Sequence, residues 1–261
     1  MTLLRVSQLE KSFGGVKAVD GVSFDLAAGQ LLALIGPNGA GKSTCFNMLN
    51  GQLKPSSGSI LFDGHELAGK RPRDIWRLGV GRTFQIAATF NSMTVIENVQ
   101  MALVSRDKKL FSLWKPTSSW HADEALALLE QVGMAAHANR PCGVLAYGDV
   151  KRVELAIALA NKPTLLLMDE PTAGMGPKER NDLMALTKQL VIDQKLAVLF
   201  TEHSMDVVFA YADKLIVLAR GKLIGEGAAE TVRNDPKVRE VYFGTGKSFT
   251  PRAALAEGTS T

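Results

Sequence analysis

Residues 31–44 read LLALIGPNGAGKST, and the fold follows from how that run changes character halfway. Its first five residues are apolar without a break, which suits a strand buried on both faces of a mostly parallel sheet. The rest, GPNGAGKST at 36–44, satisfies G-x-x-x-x-G-K-[ST] directly after that strand, at the mouth of a helix expected to begin near Lys42. Glycines at 36, 39 and 41 let successive backbone N–H groups converge on phosphate oxygens. The loop Gly36, Pro37, Asn38, Gly39, Ala40, Gly41, Lys42, Ser43 and Thr44 is therefore expected to cradle a triphosphate. Lys42 would reach the β- and γ-phosphates, the Ser43 hydroxyl would ligate Mg²⁺, and the positive end of the helix would add to the attraction. A glycine-rich turn that merely caps a helix is the alternative, and the strand and helix context weighs against it.

Working outward, apolar residues upstream often alternate, as Val22, Phe24 and Leu26 do around Ser23 and Asp25, and SILFDG at 59–64 continues the pattern. That is the period of half-buried strands, so antiparallel strands near the start are expected to flank Leu31–Ile35. Between about residues 86 and 160 the pattern turns helical. Thr94 and Glu97 form a T-x-x-E capping box, and Ala125, Leu126, Leu129 and Val132 recur at helical spacing before Gly133. Strands at 165–168 and 196–201, a helix opened by Pro177 and a hairpin turned at Arg220 and Gly221 resume the α/β alternation. The expected fold is α/β, a P-loop NTPase-type, mostly parallel sheet core with an N-terminal antiparallel β subdomain and an inserted helical subdomain. Residues 1–244 would form that one domain, and 245–261, rich in small and polar residues, a flexible tail. No internal repeat is visible.

Bulk properties narrow the function classes. The 261 residues suffice for one large domain with a substantial core, and 46% hydrophobic with 21% charged residues is an ordinary globular balance. Cys45 and Cys142 stand far apart with no CxxC, so neither a zinc site nor a disulfide framework is expected, and a reduced compartment fits. Cys45, on the helix behind the loop, reads as packing. The N-terminus lacks the apolar core and cleavage site of a signal peptide, and the apolar runs fall far short of the ~20 residues needed to cross a bilayer. A formal charge of +4, scattered along the chain, is no nucleic-acid footprint.

The run at 165–168 ends in Asp169 and Glu170. A hydrophobic strand that delivers two acids to a sheet edge complements the cradle. Asp169 would hold the Mg²⁺ shell beside Ser43, and Glu170, one residue further out, could polarise the attacking water as general base. Guanine selection is unsupported, because the nearest match to N-K-x-D, Asn161-Lys162-Pro163-Thr164, lacks the acid.

With these motifs in this order, residues 3–244 resemble the nucleotide-binding subunits of ABC transporters. The resemblance implies ATP with Mg²⁺ and several further roles. Phe13 would stack on adenine with Val16 and Ala18 beside the ring, although an aromatic on its own reads first as core. Gln85 in VGRTFQ matches the glutamine that contacts Mg²⁺ and links the site to the membrane subunits. His203 in FTEHSMD matches the histidine that contacts the γ-phosphate. The family's signature loop, usually LSGGQ, stands here as Leu145-Ala146-Tyr147-Gly148-Asp149. Ala146 removes a hydroxyl that could bond the partner's ATP, Gly148 keeps backbone donors, and Asp149 adds a negative charge near a phosphate-facing helix start. Gly176 occupies the place of a common aspartate in the D-loop.

The strings LAYG, EPTAG, TEHSMD and VYFG are most similar to ATPase subunits of branched-chain or hydrophobic amino-acid importers, and similar strings occur in lipopolysaccharide-export cassettes. The implied partners are a second copy or a paralogous ATPase subunit, transmembrane permease subunits and, indirectly, a solute-binding protein, with no nucleic acid. The implied location is peripheral, on the cytoplasmic face of the membrane. The apolar residues of 86–90 could dock a short permease helix. A soluble ABC-type ATPase acting on DNA or the ribosome shares the core motifs. Against it stand the 127 positions from Lys42 to Asp169 without a long heptad coiled coil, and the single cassette. A weak, regulatory ATP-binding module is suggested by the altered signature, but Lys42, Gln85, Glu170 and His203 are all retained.

Overall fold

The computed structural model describes residues 2–83, 89–107 and 121–243. The chain opens with a hairpin, β1 (Thr2–Phe13) and β2 (Val16–Ala27), antiparallel throughout. Leu4, Val6 and Leu9 of β1 are buried, a break in the period of two. The break has a local cause: the register shifts between Val6 and Leu9, and Gln8 adopts φ 46°, the mark of a bulge. Next come β3 (Leu31–Ile35) and α1 (Lys42–Leu49), then β4 (Ser57–Phe62), the two-residue β5 (His65–Glu66), α2 (Pro72–Arg77) and β6 (Val80–Thr83). The antiparallel strands before and after β3 make up the N-terminal antiparallel β subdomain that the sequence suggested. They form their own four-stranded sheet in the order β2-β1-β4-β5: short turns join β1 to β2 and β4 to β5, and β4 returns from beyond α1 to pair with β1.

Helices occupy the middle of the chain: α3 (Val95–Arg106), α4 (Ala122–Gln131) and α5 (Tyr147–Leu159). The capping box opens α3 as expected, Thr94 Oγ1 accepting from Glu97 N at 3.3 Å while Glu97 Oε2 accepts from Thr94 N at 2.7 Å. In α4 the buried set is Ala125, Leu128 and Leu129, at i, i+3 and i+4, whereas Leu126 is 38% exposed. Leu126 therefore lies one helical step off the inward face that the sequence reading gave it.

The α/β alternation then resumes through β7 (Leu165–Asp169), α6 (Pro177–Gln194), β8 (Ala197–Thr201), α7 (Met205–Tyr211), β9 (Lys214–Ala219), β10 (Lys222–Gly227), α8 (Ala229–Asn234) and α9 (Pro236–Phe243). The second sheet runs β10-β9-β3-β8-β7-β6, parallel except for β10. Arg220 (φ 49°) and Gly221 (φ 79°) make the β9–β10 turn, both left-handed as a tight hairpin requires.

All five residues of β3 are buried because successive side chains feed opposite cores. Leu31, Ala33 and Ile35 pack with residues of α3, α4, α5 and α6, while Leu32 and Leu34 pack with α1 and the antiparallel sheet. The described helices of the middle segment thus share a core with one face of the parallel sheet.

One charged clamp ties the helices together. Arg106, in the last turn of α3, donates to both oxygens of Glu124 in the first turn of α4 at 2.7 and 2.9 Å, and to the carbonyl of Ala160 at 3.0 Å. The guanidinium holds the Glu124 carboxyl down at about 2. A carboxyl depressed on folding stabilises the fold above its unfolded value of ~4.3, and loses that contribution as pH falls toward its folded value. The pair is partly solvated, so its worth at neutral pH is about 1–2 kcal/mol. Glu124→Gln should lower stability by that amount at pH 7, and the gap to the parent chain should close between about pH 4 and pH 2 in urea titrations. A gap of constant size over that range would remove the pair from the account.

Candidate active site

The end of β3 and the start of α1 shape the loop between them. A Cβ on Gly36 would lie 2.3 Å from the Leu218 carbonyl oxygen, and one on Gly41, at φ 104°, 2.4 Å from that of Ala18. Glycine is thus obligatory at both positions. Lys42 is buried, and its Nζ donates to the carbonyls of Gly36 at 2.6 Å and Pro37 at 3.2 Å, which bends the side chain back over the loop. Burial lowers its pKa, and the charges of Glu170 and then Asp169 oppose that shift. Ser43 is exposed in the first turn of α1.

The two acids arrive from β7, and β8 fixes both. Asp169 pairs in register with Thr201, whose hydroxyl donates to Asp169 Oδ1 at 2.8 Å and accepts from the Glu170 backbone N–H at 3.0 Å. Glu170 turns into the left-handed region at φ 47°, which carries its side chain out of the strand. Its Oε1 lies 2.8 Å from His203 Nε2. Behind His203, the buried Glu202 accepts from Thr172 N at 2.9 Å, Thr172 Oγ1 at 2.6 Å and His203 N at 3.1 Å. Thr201 and Glu202 were missed in the sequence; a polar pair directly ahead of His203 at the end of an apolar strand was the available signal. Arg82 on β6 was missed too, and its Nη2 lies 3.6 Å from Asp169 Oδ2.

An open cavity of about 520 Å³ is lined by Phe13, Ala18, residues 38–44, Glu170 and His203. The loop and the acid-bearing strand therefore meet on one face of the molecule. Phe13 is 49% exposed, not core, because it sits at the tip of the β1–β2 hairpin beyond both hydrophobic clusters. Val16 pairs with Phe13 across the hairpin and is exposed, outside that lining. Size does not mark the site: a cleft of about 810 Å³ lies behind the loop, between residues 37–40, the β9–β10 hairpin and α9.

The donor set suits a triphosphate with Mg²⁺. Backbone N–H groups, a buried ammonium and a helix start are the donors a polyanion would need. A serine hydroxyl and a carboxylate are hard oxygen donors, and no group of three or more His, Cys, Asp or Glu that could hold a metal by itself exists among the described residues. Mg²⁺ held by few protein ligands together with substrate phosphates matches that inventory.

None of residues 145–149 lines this cavity. Ala146 is the exposed, extended residue before α5, and no side chain caps that helix. Gly148 is buried: a Cβ there would lie 3.3 Å from both the Glu179 carboxyl group and Met175 Cε. Glu179 also accepts from Gly176 N at 3.1 Å, so it joins the signature segment to the D-loop. Gly176 has φ −67°, which any residue adopts, and its added Cβ would meet nothing closer than Glu179 Oε2 at 3.7 Å. The backbone therefore does not demand glycine at 176. Gln85, Ile86 and the tail from 244 lie outside the described residues.

The ABC transporter family's sequence profile matches residues 19–173, more than half the chain, and the profile described as branched-chain amino acid ATP-binding cassette transporter matches residues 222–248. The chain belongs to the ABC transporter ATP-binding family. The cassette is 40% identical over 249 residues to the high-affinity branched-chain amino acid transport ATP-binding protein LivG of Escherichia coli (strain K12), covering 93% of this chain and 98% of that protein. It is 39% identical over 253 residues to BraF of Pseudomonas aeruginosa, a protein of the same description, with the same coverage. Among solved structures, the ADP conformation of MJ1267, an ATP-binding cassette of an ABC transporter, superposes with a TM-score of 0.84 at 34% identity, over 94% of this chain and 99% of that one. The expected P-loop NTPase-type architecture is thereby borne out, and the cassette is an ABC-type ATPase subunit. No helix among its described residues is long and apolar enough to cross a membrane.

Proposed function

We propose that the cassette hydrolyses ATP as one half of a dimer, homomeric or with a paralogous subunit, to drive import of branched-chain or other hydrophobic amino acids. The observation that carries the catalytic part is the convergence of residues 38–44, Glu170 and His203 on one cavity. Phe13 and Ala18 take the adenine end, and Val16 flanks them. The loop N–H groups and Lys42 bind the phosphates, Ser43, Asp169 and Gln85 serve the Mg²⁺ shell, Glu170 accepts the proton of the attacking water, and His203 orients Glu170 and meets the γ-phosphate. Mg²⁺, when bound with the nucleotide, neutralises charge on the β- and γ-phosphates. The dimer reading is supported by the absence of residues 145–149 from the cavity lining, which leaves the exposed Ala146 and the backbone donors at the start of α5, that of Gly148 among them, for the ATP of a second subunit. Such a composite site leaves the isolated monomer slow, because positioning and charge stabilisation carry phosphoryl transfer.

In our reading residues 1–244 form the cassette, 86–160 its helical subdomain and 245–261 a tail. Permease subunits would hold it at the cytoplasmic face of the membrane and supply a solute-binding protein's cargo. The surface offered to them is the apolar groove of about 330 Å³ lined by Pro72, Ile75, Trp76, Val80, Ala102 and Ile157. Of the apolar residues at 86–90, Phe90 is exposed and held by Asn98 through its backbone N–H at 2.8 Å and carbonyl at 3.2 Å. The cargo assignment is supported by the relatives LivG and BraF. Its test is uptake of labelled leucine, isoleucine and valine by vesicles carrying the cassette with its co-purifying permease. ATP-dependent uptake is expected. Stimulation of turnover by lipopolysaccharide without amino-acid uptake would point to export, and co-purification with nucleic acid but no membrane protein to the soluble ATPases.

A further inference from the structure

Asp169 faces a second cation that neither the loop nor the acids explain. Arg82 lies on β6, next to β7 in the parallel sheet, with Arg82 opposite Leu167. Its Nη2 stands 3.6 Å from Asp169 Oδ2, and the two side chains are 14% and 17% exposed. Nη1 donates to Gln52 Oε1 at 3.0 Å, and both terminal nitrogens lie 3.4 Å from Asn47 Oδ1 on α1. The Asp169 carboxylate is oriented independently by the Thr201 hydroxyl at 2.8 Å. At 3.6 Å the contact with Arg82 is Coulombic, longer than a charge-assisted hydrogen bond of about 2.7–2.9 Å. What the guanidinium adds to Asp169 is therefore charge rather than orientation, and a guanidinium keeps its charge at any ordinary pH.

We propose that Arg82 is a resident counter-cation of Asp169 that raises the Mg²⁺ concentration at which this cassette holds its nucleotide. The inference rests on the reading of Asp169 as the Mg²⁺-shell carboxylate. A fixed positive charge beside that carboxylate neutralises part of the field that attracts a dication and repels the dication on arrival. For a unit charge beside the carboxylate that would hold a dication in a solvated, salt-screened cleft, the effect is roughly three- to tenfold in Mg²⁺ affinity. Arg82 is in this sense a positioning residue for charge, acting through Asp169.

The test is binding of a fluorescent ATP analogue to the full chain across a Mg²⁺ series. Arg82→Gln should lower the half-saturating Mg²⁺ by about three- to tenfold, and Arg82→Lys, which keeps the charge, should stay near the parent value. Gln52→Glu leaves Arg82 in place and sets a new carboxylate against its Nη1. It should shift the midpoint the same way by about two- to threefold, and, Gln52 being exposed, it tests the idea even where Arg82→Gln fails to fold. A purely structural Arg82 would raise the midpoint in the glutamine and lysine variants alike. An unchanged or raised midpoint in both Arg82→Gln and Gln52→Glu overturns the proposal, provided Asp169→Asn raises the Mg²⁺ requirement. If Asp169→Asn leaves that requirement untouched, the reading of Asp169 fails instead and takes the inference with it.

Discussion

Glu170→Gln should lower ATP turnover by about 10²- to 10⁴-fold while leaving nucleotide binding in place. Glutamine matches glutamate in size, so the substitution leaves the packing of this short segment alone. Its amide oxygen can still accept from His203 Nε2, 2.8 Å away in the parent chain, and the backbone N–H of residue 170 still reaches Thr201 Oγ1 at 3.0 Å. What disappears is the capacity to take a proton. At about 1.36 kcal/mol per decade, the expected loss corresponds to roughly 3–5 kcal/mol of transition-state stabilisation, the size of a general-base contribution. Phosphate release at saturating ATP, measured beside an equilibrium titration with an ATP analogue, separates chemistry from binding. Unchanged hydrolysis would take the base role away from Glu170 and direct attention to His203. Lost binding would mean that the carboxylate serves the cradle rather than the water.

The parts of this site written in consecutive residues were legible, and the parts made by strand order were not. Residues 31–44 announced themselves because an apolar strand, three glycines, Lys42 and Ser43 are all local, and Asp169 and Glu170 did so because an apolar run precedes them. Thr201, by contrast, touches both acids from 31 and 32 positions away, through a register between β7 and β8 that no local pattern encodes. Arg82 reads as an ordinary strand-end charge until the sheet order sets β6 beside β7. The exposure of Phe13 has the same root, since whether the tip of a hairpin reaches the core depends on the sheet it leaves. Leu126 shows the limit of periodicity within one helix: neighbouring leucines at 126, 128 and 129 fit more than one inward face, and packing against the parallel sheet selects Leu128 and Leu129. Gly148 was read only for the backbone donors it keeps, with no account of its packing. In this chain it lies against Glu179 and Met175, a contact set by where α6 packs on α5.

Lys42→Ala should weaken ATP binding by about 10²-fold, the cost of deleting a charged donor worth about 3 kcal/mol to a bound polyanion. The side chain is buried within the loop whose carbonyls it grips at Gly36 and Pro37, and burial already works against its positive charge. A cation held under that strain, kept charged by Glu170 and Asp169, gains most when a triphosphate brings further negative charge to the same cavity. Alanine also releases two carbonyls from their donor, so part of any loss could reflect a loosened loop. Lys42→Met keeps the apolar stem and removes only the ammonium, and thermal unfolding of both variants reports on the loop itself. Equal losses of nucleotide affinity in the two variants, with an intact unfolding midpoint for methionine, assign the effect to charge. Full affinity in Lys42→Met would contradict the cradle, because a loop bound by its backbone donors alone would need no lysine at its centre.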